Sequence, residues 1–535
     1  MKKHDLEDHL LGTITGSGWR AVGVHHHHGI NIYLNALHSS SSCGIGEFLD
    51  LIPMIDWCHK IGMDIIQLLP LNDSSFDPSP YNAISSCALN PIYLKLDALP
   101  ELAEHPDLRE QIDSLRAYNS RSAIAYKEVL NAKNQWLRNY FHQISYNLDE
   151  NQQYQHFLSA NPWVETYALF KTLLAKFNYA VLEDWPPEYR SLTSTRRSAL
   201  IEEHRQEINF HSALQYFCFQ QLSEVRAYAD RYKILLKGDL PILISRNSAD
   251  VWQTPHFFDL MHNAGAPPDQ YSDDGQNWGF PLFNWDAMRQ EDYRFWRERL
   301  QFATHFYHLY RIDHAVGFFR IWGIPLHRPG NEGHFFPDDP TKYLPQGKHV
   351  LSVLAASSSM LPIAEDLGAV PPEVRLSLNE MGIPGTRVMR WELDWKKHSN
   401  GGHPFLPLED YSPISMTCVS THDSETLGGW WQKDESQASL LASKKHWHYT
   451  PELSQEHRKE LLKDSHHTSS LFHINLLQEY LALFPELVAS SPEEERINIP
   501  GTTLPHNWAY RYRPSIETLT THKPLLSAMR SLVKK

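Results

Sequence analysis

Short apolar runs recur along the chain, each closed by polar residues and separated by stretches of helical spacing. Ile65–Leu71 (IIQLLPL), Lys233–Gly238 (KILLKG), FYHLYRID ending at Asp313, Met360–Asp366 (MLPIAED) and Ser415–Asp423 (SMTCVSTHD) read as buried strands. GTRVMRWE, near Gly385, supplies one more. Between them, EDYRFWRERLQFATHFYH and PEVRLSLNEMG place apolar residues three and four apart, as amphipathic helices do. Strand alternating with helix predicts an α/β fold with a parallel sheet or barrel.

Two regions break the rhythm. Residues 100–230 are rich in helix formers and lack clear short strands, which predicts a mostly helical insertion. Residues 247–285 read as coil, and GAPPDQYSDDGQNWGFP within them reads as an ordered loop that Tyr271 and Trp278 dock. LFHINLLQEYLALF, further on, reads as helix. No repeat or linker divides residues 1–535, so one barrel unit is expected.

Composition narrows the function. The net charge is −14 and no basic run occurs, which argues against nucleic acid or an anionic membrane as partner. Five cysteines at wide spacings, with no CxxC pair, fit reduced thiols in a cytoplasmic protein. MKKHDLEDHL has acids where a signal peptide needs an apolar stretch. Sixteen Trp and 24 Tyr offer faces that stack on sugar rings, although large cores use aromatics too. His25–His28 tempts a metal reading, but the helical ligand spacing and HExxH are both absent, so no metal site is expected. Nor is there a complete dinucleotide fingerprint, a P-loop or a G-x-S-x-G elbow.

The strand ends carry the candidate chemistry. In (β/α)8 barrels catalytic groups come from the carboxyl ends of several strands. Asp313, Glu365 and Asp423 occupy three such ends. Arg311 lies two residues before Asp313, on the same face of a strand. From the residues alone, that pair is either a structural ion pair or a charged catalytic group with its partner.

Eight stretches, in order, carry a resemblance. They are GIGEF near Gly44, LPLN…SPYNAISSCALNP, GDLPILISRNSADVW, GAPPDQYSDDGQNWGFP, YRIDHAVGFFRIWGIP, IAEDLG, STHDSETLGGWW and NIPGTTLPHNW. From about Ala21 to Arg513 the chain resembles the 4-α-glucanotransferases of the amylomaltase or disproportionating-enzyme type, glycoside hydrolase family 77. The resemblance implies a (β/α)8 barrel with helical subdomains, no C-terminal β-sandwich and no cofactor; because the barrel signature begins within about 20 residues of the start, the long N-terminal extension of some members is not expected.

It also implies roles. Asp313 would be the nucleophile, kept ionised by Arg311, and Glu365 the general acid and later base. In an extended chain Asp366 points away from Glu365, which reads it as a structural or supporting group. Asp423 would grip the distorted sugar, with His422 and His314 bonding the same ring and Tyr81 stacking beneath it. Ser79, in the same SPY, is counted among the substrate contacts. Asp269, Gln276 and Trp278 would contact the glucan from a cleft-covering loop that favours a sugar acceptor over water. The partners implied are α-1,4-glucan oligosaccharides, with the protein a monomer or weak homo-oligomer.

Three departures stand out. Ser424 replaces the family's usual Asn, GTRVMRWELDW differs from a Met-, Gln- and Phe-containing run, and the His-x-x-Ser-Leu-Pro pattern is blurred around VHHHHGINIYLNALHSSSS. Two other readings remain: an amylase-like hydrolase and a catalytically idle glycan-binding protein. The GAPPD loop argues against the first, and retention of all three carboxylates against the second.

Overall fold

The structure is a computed structural model that describes residues 3–268, 274–397 and 403–533. Eight parallel strands close into a barrel: β1 (His27–Ile32), β2 (Ile65–Leu68), β3 (Leu235–Leu240), β4 (Leu309–Ile312), β5 (Leu361–Ala364), β6 (Gly385–Val388), β7 (Ser415–Cys418) and β8 (Phe472–Leu476). Each pairs with its sequence neighbour, and β1 meets β8 through His27 opposite Phe472. The strands are almost wholly buried, which is why they read as continuous apolar runs rather than alternating ones.

Two strands depart from the sequence reading. The histidine run enters β1, and Phe472–Leu476 is β8 rather than helix. A five-residue helix, Leu477–Leu481, follows β8 without a break. A strand buried on both faces and continuous with a helix shows no period of two, so the pattern merged them.

Between β2 and β3 the chain is helical, ending in the 28-residue helix Arg205–Tyr232 that leads into β3. Lys233, in the left-handed region at φ 56°, caps that helix. The stretch expected as coil instead carries two strands. Phe258–Ala266 and Gln276–Phe283 form an antiparallel hairpin, joined by Ile321–Pro325 and His334–Phe336 into a four-stranded sheet. Bulges between Asp259 and Gly265 shift its register, and prolines and glycines within it hid the strands from a propensity reading. Among the described residues no helix is long and apolar enough to cross a membrane.

Candidate active site

The barrel's carboxyl end is built around one guanidinium. Arg311 on β4 sits opposite Asp239 on β3, because the register pairs these two positions. Arg311 Nη1 donates to both Asp239 oxygens at 3.0 Å and to Asp313 Oδ1 at 2.7 Å. Its Nη2 lies 3.8 Å from Glu365 Oε2. Burial works against the charged form of Arg311, and the surrounding anions, led by Asp239, more than offset it. Three carboxylates from three strands thus share one buried cation.

Glu365 follows the last residue of β5 and is held by backbone. Its Oε1 accepts from Leu367 N–H at 2.9 Å and its Oε2 from His314 N–H at 2.8 Å. His314 aims that N–H by adopting a left-handed conformation, φ 43°, which costs a non-glycine residue roughly 1–2 kcal/mol. Burial pushes the Glu365 carboxyl up; Arg311 and the two N–H groups pull it down, and Asp313 adds to the rise, leaving it at about 7. A carboxyl poised there serves as acid and as base at neutral pH.

Asp366, the next residue, points away. It accepts from Thr386 N–H at 2.8 Å and from Arg387 Nη1 at 2.9 Å, and tethers β5 to β6. A Cβ at Gly385 would lie 2.7 Å from the Asp366 carboxylate, so only glycine lets the two approach.

Asp423 stands in the loop after β7. Asn498 donates to its Oδ1 at 2.7 Å and His422 Nε2 lies 3.2 Å from its Oδ2. Burial pushes Asp423 up, but His422 and the Asn498 contact outweigh it and hold the carboxyl at about 2. The His422 ring stacks on Tyr81 at 5.3 Å and 11°. Tyr81 in turn donates to Asp239 Oδ2 at 2.8 Å, which ties this side of the site to the Arg311 cluster. Ser424, the departure noted above, accepts from Thr421 N–H at 3.0 Å and closes the turn that presents Asp423.

Ser79 lines the same cleft and its N–H donates to Asp77 at 2.9 Å. Trp278 and Gln276 come from the hairpin. The Trp278 indole N–H donates to Gln276 Oε1 at 3.1 Å, and its ring meets His314 edge-on at 4.9 Å. Asp269 and Tyr271 lie outside the described residues. The cleft has a volume of about 3160 Å³, and Trp391 and Trp395 on its wall are 39% and 68% exposed.

Two residues of this network escaped the sequence reading. Asp239 had a signal: with Lys237 it puts charge at alternate positions of an apolar strand. Asn498 opens NIPGTTLPHNW, one of the eight stretches, but only the tertiary fold brings it to Asp423.

The profile of the 4-alpha-glucanotransferase family, glycoside hydrolase 77, matches residues 32–518. The chain belongs to the 4-alpha-glucanotransferase family. A 4-alpha-glucanotransferase of Chlamydia pneumoniae is 43% identical over 94% of this chain and 95% of its own. One from Chlamydia muridarum is 44% identical over 96% of each. The fold matches that of the amylomaltase from Streptococcus agalactiae in complex with acarbose, at TM-score 0.79 and 24% identity, covering 95% of this chain and 99% of that one. Arg311 and its three carboxylates lie at the carboxyl ends of the barrel strands, the face at which (β/α)8 barrels build active sites.

Proposed function

We propose that the protein transfers α-1,4-glucan segments from a donor to the 4-OH of an acceptor glucan or glucose, with retention. The observation that carries the reading is the shared guanidinium: Asp313 bonded to Arg311, and Glu365 close by with its carboxyl at about 7. Retaining cleavage needs one ionised and one protonated carboxyl flanking the bond. Asp313 attacks the anomeric carbon while Glu365 gives its proton to the departing glycosidic oxygen. A glycosyl–Asp313 ester results. The acceptor 4-OH then attacks the same carbon, its proton passes to Glu365, and Asp313 is freed as carboxylate. Both proton transfer and attack come from side chains, so the pathway calls on no cofactor.

Asp423, His422 and His314 hold the distorted sugar in this reading, Tyr81 stacks on it, and Ser79, Gln276, Asp269 and Trp278 contact the glucan. Trp391 and Trp395, being exposed on the cleft wall, extend the stacking surface. The chain works as one barrel unit, with the helices before β3 as an insertion and the hairpin as the cover that disfavours water. It acts in the cytoplasm as a monomer or weak homo-oligomer.

The test is incubation with maltotriose, following chain lengths and total reducing ends together. Longer and shorter chains at constant reducing ends are expected. Reducing ends that climb with cleavage would make water the acceptor. Asp313→Asn should abolish turnover and leave glucan binding measurable; surviving turnover would remove Asp313 as nucleophile.

A further inference from the structure

The pole of the barrel opposite the cleft gathers imidazoles. His26 and His28 are occupied by other rings: His26 Nδ1 lies 3.1 Å from His473 Nε2, and His28 Nδ1 lies 3.0 Å from His466 Nδ1. His25 and His27, two apart where the chain enters β1, take the other side, their ring centroids 4.0 Å apart. Asp64, the residue before β2, completes the group from the neighbouring strand. Its backbone N–H donates to His28 O at 2.9 Å and its Oδ1 accepts from His28 N–H at 2.9 Å, so the ladder fixes the carboxylate. Its Oδ2 lies 2.7 Å from His27 Nδ1.

We propose that His25, His27 and Asp64 form a binding site for a divalent transition metal of the zinc class. One ligand atom from each lies within 4.8 Å of the others; ligands roughly 2.1 Å from a tetrahedral zinc stand about 3.4 Å apart, so side-chain shifts on the order of 1 Å bring the three into range. Two imidazole nitrogens and a carboxylate oxygen are the ligand chemistry that zinc, nickel and copper prefer, whereas calcium and magnesium call for oxygen alone. The third ligand comes from outside the histidine run, which is why ligand spacing within that run gave no sign of it.

The ligands differ in readiness. Asp64 Oδ1 is taken by the His28 N–H at 2.9 Å, which leaves Oδ2 as the oxygen that faces His27. His27 is 1% exposed, with Nε2 3.1 Å from Gly23 O and Nδ1 against Asp64, both acceptors. A metal ion entering between His27 and Asp64 takes the place of the proton on Nδ1, which leaves to solvent. His25 is exposed, and its Nδ1 faces His26 O at 3.1 Å, which leaves Nε2 as the donor atom. The competing account is an ion pair of His27 with Asp64 alone, in which His25 plays no part.

His25 therefore decides the matter. Tag-free, chelator-stripped full-length protein is titrated with zinc chloride against a chromophoric chelator, and its thermal midpoint is read with and without zinc. One zinc per chain is expected, with a raised midpoint. His25→Ala, whose zinc-free midpoint should match that of the unsubstituted chain because the side chain is exposed, should weaken zinc binding at least about tenfold and abolish the rise. Zinc affinity and midpoint shift unchanged by His25→Ala, or no stoichiometric zinc on the unsubstituted chain, would overturn the proposal.

Discussion

Raising the pH should switch off the first chemical step by draining the proton from Glu365. An ordinary glutamate is almost fully ionised at neutral pH, but this one is held at about 7, chiefly by burial, with Asp313 adding to the rise and Arg311 and two backbone N–H groups opposing it. Because kcat/KM reports free enzyme up to the first irreversible step, it should follow the protonated fraction. With that pKa the fraction is about 0.9 at pH 6, about 0.1 at pH 8 and about 0.01 at pH 9. The expected fall in kcat/KM is therefore about tenfold from pH 6 to pH 8 and about hundredfold from pH 6 to pH 9. Initial rates of glucose release from maltotriose, at substrate well below KM and constant ionic strength, measure it. A limb near the ordinary glutamate value, or a flat profile to pH 9, would refute the assignment of Glu365 as proton donor.

Acid should loosen the fold from its other end. Burial, reinforced by His28, lowers His473 to about 3, and burial leads the depression of His28 to about 4 and of His466. A folded-state pKa below the unfolded value of about 6.5 means that the unfolded chain takes up protons first, so stability is whole above that pH and is lost as pH falls toward 4. His473 alone should cost on the order of 2 kcal/mol at pH 5, read as a drop in urea midpoint between pH 7.5 and pH 5; an unchanged midpoint would contradict the neutral cluster. Asp239→Asn strips the buried Arg311 of its doubly bonded partner and removes the charge that Tyr81 donates to. It should cost about 3 kcal/mol in urea unfolding and lower kcat, and a variant as stable as the parent would show that Asp313 and Glu365 suffice to hold the guanidinium.

The legible parts of the site were those written at strand ends. Asp313, Glu365 and Asp423 each follow an apolar run that reads as a buried strand, which marks them as candidates, although Asp366 at the end of the same run as Glu365 serves to tether β5 to β6. The boundaries were less legible: FYHLYRID joins the end of a helix-packed turn to β4, and β8 runs into its helix without a polar gap. The hairpin at 258–283 defeated pattern reading because its strands carry glycine, proline and register shifts. Asp239 was visible as charge at alternate positions and as a member of GDLPILISRNSADVW, and the role proposed for His25 waited on Asp64, which sequence distance conceals and parallel pairing supplies.

Sharing one cation among three acids has a consequence for timing. On the proposed pathway Asp313 spends its negative charge when it becomes an ester. Glu365 then loses a like-charged neighbour that raised its pKa, while Arg311 stays 3.8 Å away. The carboxyl that has just surrendered a proton is thereby held ionised, ready to take one from the incoming hydroxyl. When Asp313 is released its charge returns, and Glu365 recovers its grip on the proton for the next cycle. The nucleophile acts as a clock for its neighbour, and no moving part beyond the bond itself is required to keep the two half-reactions in step.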